Sequence, residues 1–166
     1  MQQLFFGKYR GTVVDNNDPM FLGRVKVSCP SVLVGSEDHW AMPSVPYAGN
    51  GVGWYAIPPT DANVWVEFEG GDLGLPIWSG CFWTRQSELP GKQGTPPTPS
   101  TKVFKTDAAT ITLDDSAGAS GVTIETNNGM KIAITSQGIE IDDGQGAKIK
   151  LSGPTVSIND TALEVT

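Results

Sequence analysis

The sequence predicts an all-β protein: a small barrel or sandwich of short strands, followed by a β-prism in which several copies of the chain wind together. Three observations carry this. No stretch of even about three helical turns occurs in the 166 residues. The N-terminal half holds short alternating runs separated by dense turn signals. The C-terminal part is a ladder of apolar-polar-apolar triplets.

In the first half, Phe5 to Val14 reads as a strand with glycines at its bends, ended by Asp15-Asn16-Asn17-Asp18-Pro19. Gly23-Arg24-Val25-Lys26-Val27-Ser28-Cys29-Pro30 alternates and is closed by proline. Trp40-Ala41-Met42-Pro43 is a short extended piece, Ala48 to Gly53 a glycine-rich loop, and Trp54 to Pro59 a candidate strand or strand edge. Val64-Trp65-Val66-Glu67-Phe68-Glu69 alternates cleanly, and Pro76 to Trp83 forms the last strand. A closed barrel of such strands fits a domain of residues 1–89.

Composition then changes. All five tryptophans and all three tyrosines precede residue 90. Residues 90–103 form a linker whose first part, Pro90 to Ser100, is rich in Pro, Gly and Thr and fairly stiff. Residues 104–166 carry the repeat. Its units are Ile111-Thr112-Leu113, Val122-Thr123-Ile124, Ile132-Ala133-Ile134, Ile139-Glu140-Ile141, Ile149-Lys150-Leu151, Val156-Ser157-Ile158 and Leu163-Glu164-Val165. Turn formers separate them, and the step settles at about seven to ten residues. Each unit offers two apolar side chains to one face, and a three-residue strand packed on nothing does not hold. Copies that each give one face of a narrow prism would bury those side chains on its axis. Three flat faces make the narrowest closed prism. The axis residues expected are Ile132, Ile134, Ile139, Ile141, Ile149, Leu151, Val156, Ile158, Leu163 and Val165.

Charge and chemistry narrow the function. The net charge of −7 is spread along the chain without a Lys/Arg cluster, so nucleic acid has no electrostatic footprint. Cys29 and Cys81 have no CxxC spacing and read as two buried thiols. The single histidine, His39, sits with Glu37, Asp38 and Trp40 in a loop and lacks the motifs of a hydrolase or a zinc site. Gly49 to Gly53 lacks the GK[ST] ending of a phosphate loop. Asp142-Asp143-Gly144 lacks calcium-ligand spacing, and Glu67 with Glu69 reads as an exposed strand face. No enzyme activity, cofactor or metal is expected. Met1 to Phe6 lacks the basic region and apolar core of a signal peptide, so synthesis in the cytoplasm is expected.

An ordered set of pieces carries a resemblance. They are Phe6-Gly7-Lys8-Tyr9-Arg10-Gly11-Thr12-Val13-Val14, Asp18-Pro19, Gly23-Arg24-Val25-Lys26-Val27 with Pro30, and Trp40-Ala41-Met42-Pro43. Then follow Ala48-Gly49 with Gly53, Ile57-Pro58, Val64 to Asp72, and Pro76-Ile77-Trp78-Ser79-Gly80. The set resembles the OB-fold of the central spikes of contractile injection systems: phage baseplates, VgrG proteins of type VI secretion, and related particles. The resemblance implies an N-terminal OB-fold barrel followed by an intertwined trimeric β-helix or β-prism. It implies a homotrimeric collar on hub and inner-tube proteins, within a phage-like particle, and a needle driven through a target envelope. A PAAR-repeat protein would cap the tip, against Leu163, Val165 and Thr166. No lysozyme domain interrupts the chain at the linker. The motif begins at Phe6, so the domains that VgrG proteins place before it are expected to be separate hub proteins. Two other readings compete: an OB-fold module binding single-stranded nucleic acid or glycan, with an oligomerising tail, and a tail-fibre or adhesin fragment.

Overall fold

In the computed structural model, residues 3–33, 39–91, 96–118, 121–160 and 162–165 are described. The strands are β1 (Tyr9–Asp15), β2 (Val25–Ser28), β3 (His39–Pro43), β4 (Ala48–Gly49), β5 (Val52–Gly53), β6 (Asn63–Phe68), β7 (Pro76–Cys81) and β8 (Thr101–Lys105). They continue with β9 (Ala109–Asp114), β10 (Gly121–Thr126), β11 (Lys131–Thr135), β12 (Gly138–Asp142), β13 (Lys148–Ser152), β14 (Thr155–Ile158) and β15 (Leu163–Val165). Two single 3-10 turns are the only helical pieces among the described residues. The chain forms two compact units, Met1–Thr84 and Arg85–Thr166.

The first unit is a closed barrel in the order β1-β2-β3-β7-β6. All pairings are antiparallel except β3 with β7, which closes the barrel in parallel. Alternation explains the core: Val25 and Val27 on β2, and Val64, Val66 and Phe68 on β6, point inward. They meet Val13, Cys29, Ala41 and Trp78. Closure removes the exposed edges that a short open sheet would present.

Several local expectations change. Residues 48–53 form the small hairpin β4-β5, and residues 54–59 contain no strand. The two-residue strands are too short to show alternation, whereas Trp54 to Ile57 carries strand-favouring residues but runs into Pro58-Pro59, which have no amide to donate to a ladder. Cys29 is buried, but Cys81 is exposed at the outer end of β7, and both thiols are free. Glu69 leaves β6 in a 3-10 turn, so it does not share the strand face with Glu67.

The second unit is one eight-stranded antiparallel meander, in the order β15-β14-β13-β12-β11-β10-β9-β8. The seven triplets lie in β9 to β15, and β8 begins at Thr101, inside the stretch read as linker. That stretch lies against the sheet at points: the Lys105 Nζ donates to the Gly91 carbonyl over 3.1 Å, and the Asp115 amide to the Ser100 carbonyl over 2.9 Å. Each strand from β9 to β14 has both its ladder partners in its own chain.

Gly138 starts β12 at φ +128°, and a Cβ there would stand 1.9 Å from the Leu151 carbonyl oxygen. A Gly138→Ala variant should lose about 1–3 kcal/mol or more, since both the left-handed φ and the β12–β13 ladder are violated. Thermal unfolding of the full chain checks this; an unchanged transition would refute the close approach.

Candidate assembly surfaces

The meander has two unlike faces, and register decides which residues share each. Cross-strand partners stand on the same side of a sheet. One column runs Phe104, Ile111, Ile124, Ile132, Ile141, Ile149, Ile158 and Leu163, each paired with the next. The second runs Leu113, Val122, Ile134, Ile139, Leu151, Val156 and Val165. All ten residues expected on the axis therefore fall in two adjacent columns on one face. Nine of them, from Ile132 to Leu163, are 37–53% exposed in the single chain, far from the burial of core isoleucines. The side chain of Val165 and all of Thr166, expected at the tip, lie outside the described residues.

The opposite face is polar. Thr112, Thr123, Ala133, Glu140, Lys150 and Ser157 align along its middle. Beside them Lys131 pairs with Glu140 at 2.7 Å and Lys148 with Asp142 at 3.3 Å. The Lys131 ammonium holds the Glu140 carboxyl below its usual range. The amide of Gly144, then Lys148, do the same for Asp142. The Asp142 and Asp143 carboxylates are taken up by amides of their own loop, Gly144 for one and Gln145 and Ala147 for the other. Among the described residues no group of three metal-ligating side chains occurs.

In the barrel, the quoted motif pieces build one clamp. The Asp18 carboxylate accepts hydrogen bonds from the amides of Met20, Leu22 and Arg24 at 3.0, 2.8 and 3.2 Å. The Arg24 guanidinium donates to it through Nε and Nη2, at 3.0 and 2.7 Å, and lies over the Trp40 ring. The Trp78 Nε1 donates to the Gly23 carbonyl. The ends of the loop 18–24 are thus fixed, while Met20, Phe21 and Leu22 face outward; Phe21 is 90% exposed, with φ +55°. Glycine-rich residues 49–53 belong to the β4–β5 hairpin. His39 opens β3, with Glu37 and Asp38 outside the described residues. Glu67 is paired with Lys8 at 3.2 Å.

Two family models match, one on each unit. Residues 9–83 match the type VI secretion system/phage-baseplate injector OB domain, and residues 101–164 the phage baseplate V C-terminal trimerisation domain. The chain belongs to the VgrG-like central spike family of phage baseplates and type VI secretion. No curated protein matches it. Both domains are structural parts of baseplates, and the trimerisation domain makes the spike a homotrimer. Apart from Val165, the two apolar columns lie within the residues matched by the trimerisation domain. No helix among the described residues is long and apolar enough to cross a membrane.

The clamp sets a pH dependence for the spike's barrel. Asp18 is held well below the usual carboxylate range, first by Arg24 and then by the loop amides. A depressed folded pKa gives stability that is complete above the unfolded value, about 3.9, and is lost as pH falls below it. An Asp18→Asn variant should melt several degrees lower than the parent at pH 7, and the gap should narrow below about pH 4. Melting curves across that range check both; a gap that widens in acid would refute the assignment.

Proposed function

We propose that this chain is the central spike of a contractile injection particle. Three barrels form a collar that caps the end of the inner tube, and three meanders form a needle that meets the target envelope first. A PAAR-type protein covers the tip. The observation that carries the reading is the pair of apolar columns, unburied in one chain, within a domain of the trimerisation family. Three sheets, each turning its columns to a common axis, would make a β-prism whose outer faces are the polar ones. Eight strands at about 4.8 Å spacing give a needle roughly 34 Å long. Hub and inner-tube proteins dock on the collar, and the exposed Met20-Phe21-Leu22 loop is apolar surface available to them.

The nucleic-acid reading has less support. Arg24 is committed to Asp18, and Arg10 lies over the Trp65 and Phe82 rings, 5.5 and 5.0 Å from their centroids. The sequence holds no Lys/Arg cluster to accompany the aromatics.

Light scattering on the full chain should give three times 17.6 kDa. Ile141→Lys, which sets a charge on the proposed axis, should shift the mass toward monomer, while Lys150→Glu on the polar face should not. A monomeric parent, or no difference between the variants, would sink the prism. The cap is tested separately by imaging purified particles with a label on the barrel. One label site at the tube end is expected; labels along the sheath would exclude the collar position.

A further inference from the structure

The two edges of the meander are built differently, and in a three-fold assembly the difference has a consequence. On one edge, β11 joins β12 through Ser136-Gln137 and β13 joins β14 through Gly153-Pro154, both two-residue turns. On the other edge the loops are wider: residues 127–130 join β10 to β11, and residues 143–147 join β12 to β13. These wide loops form a continuous wall. The Asn127 amide donates to the Ala108 carbonyl, the backbones of Gly129 and Gly144 are in close approach, and the Lys148 amide donates to Asn159 Oδ1. Along the foot of this wall, on the apolar face, runs a groove floored by Ile124, Ile132, Ile141 and Ile149 and flanked by Met130 and Ala147. Its floor is continuous with the face inside the trimerisation domain. Beyond the β9–β10 connection, the tight-turn edge carries only these two turns among the described residues.

We propose that the three sheets close head to tail, with the tight-turn edge of each copy seated in the groove beside the wide-loop edge of the next. A closed three-fold ring is heterologous, so every contact joins two unlike patches of the same chain. The two edges are such a pair. Both repeat every two strands, about 9.6 Å, so they share one pitch. They are offset by one strand, which sets the turn at Ser136-Gln137 level with the seam between Gly129 and Gly144, where no side chain stands. The occupant of the groove is thus a second copy of this chain. The inference rests on the trimeric prism above and adds which edge meets which.

Cysteine cross-linking tests it on the full chain in a Cys81→Ser background. Met130 and Gln137 lie at opposite edges of the sheet. The five residues of β11 between them span about 17 Å, too far for a disulfide within one chain. The double variant Met130→Cys/Gln137→Cys should give a covalent trimer on mild oxidation, and each single variant should give almost none. A trimeric mass with no link in the double variant, or with dimers from either single variant, overturns the edge pairing and leaves the prism standing. A monomeric mass overturns both. As a second readout, Ala147→Arg, which fills the groove at a site exposed in the single chain, should lower trimer stability. Lys150→Arg on the polar face should leave it unchanged. Equal behaviour of these two variants also overturns the pairing.

Discussion

A single-layer sheet cannot bury its own apolar face, and the second half of this chain is a single layer. Its backbone is satisfied: every strand from β9 to β14 has ladder partners on both sides from its own chain. What remains unsatisfied is apolar area. Each half-exposed isoleucine or leucine that becomes buried contributes about 1 kcal/mol, and the two columns multiply that in every copy. Association costs roughly 4–15 kcal/mol, which such a face can meet. In the proposed prism, side-chain packing between whole sheets would therefore be enough to hold the copies together, without exchange of strands. The polar face has no such demand, because the charges of Lys131, Glu140, Asp142 and Lys148 find one another on the strands themselves.

The barrel answers the same constraint differently. It rolls its sheet until the apolar faces of β1, β2, β3, β6 and β7 meet, so nine side chains are buried within one chain. Rolling leaves the connections under tension of another kind, since long polar loops must be held without strand partners. The Asp18 carboxylate does this for the β1–β2 connection by taking three amides and a guanidinium at once. A loop held in this way can expose Met20, Phe21 and Leu22 without collapsing them onto the barrel. One unit thus closes its core within one chain and offers a fixed surface, and the other leaves its apolar columns exposed in one chain.

Much of this was legible in the sequence, and the rest was hidden for identifiable reasons. The triplets revealed seven strands because β-branched residues at period two have few other homes, and short turns forced neighbours to pair in register. The columns follow from that register alone. β8 was obscured by its prolines upstream and by Lys102 and Lys105, which break the apolar triplet around Val103 and Phe104. Barrel closure through β3 and β7 joins residues about 35 apart in parallel, and no local pattern announces such a pairing. The Asp18–Arg24 clamp had a signal, an aspartate before a proline and an arginine opening a strand. Only the hydrogen bonds turn those letters into one device. The difference between the meander's edges was also present in the spacing of the triplets. From β10 to β14 the steps run long, short, long, short because wide and tight turns follow one another there, although that meaning needs the sheet to be seen.

In the proposed needle the strands lie across the axis and their hydrogen bonds along it. A push along the axis compresses ladders that are already closely spaced, and each strand can yield only by moving its neighbours. A pull would instead peel a lone sheet one strand at a time, since each ladder would open separately. The columns oppose peeling: a strand that leaves its sheet must also withdraw two apolar side chains from the shared axis. Unlike edges fitted together would add a lateral lock, because a turn seated in the next copy's groove cannot slide without disturbing the wall beside it. Resistance to unfolding in such an element is a matter of rate more than of equilibrium, and that is the property a part used once, under brief load, requires.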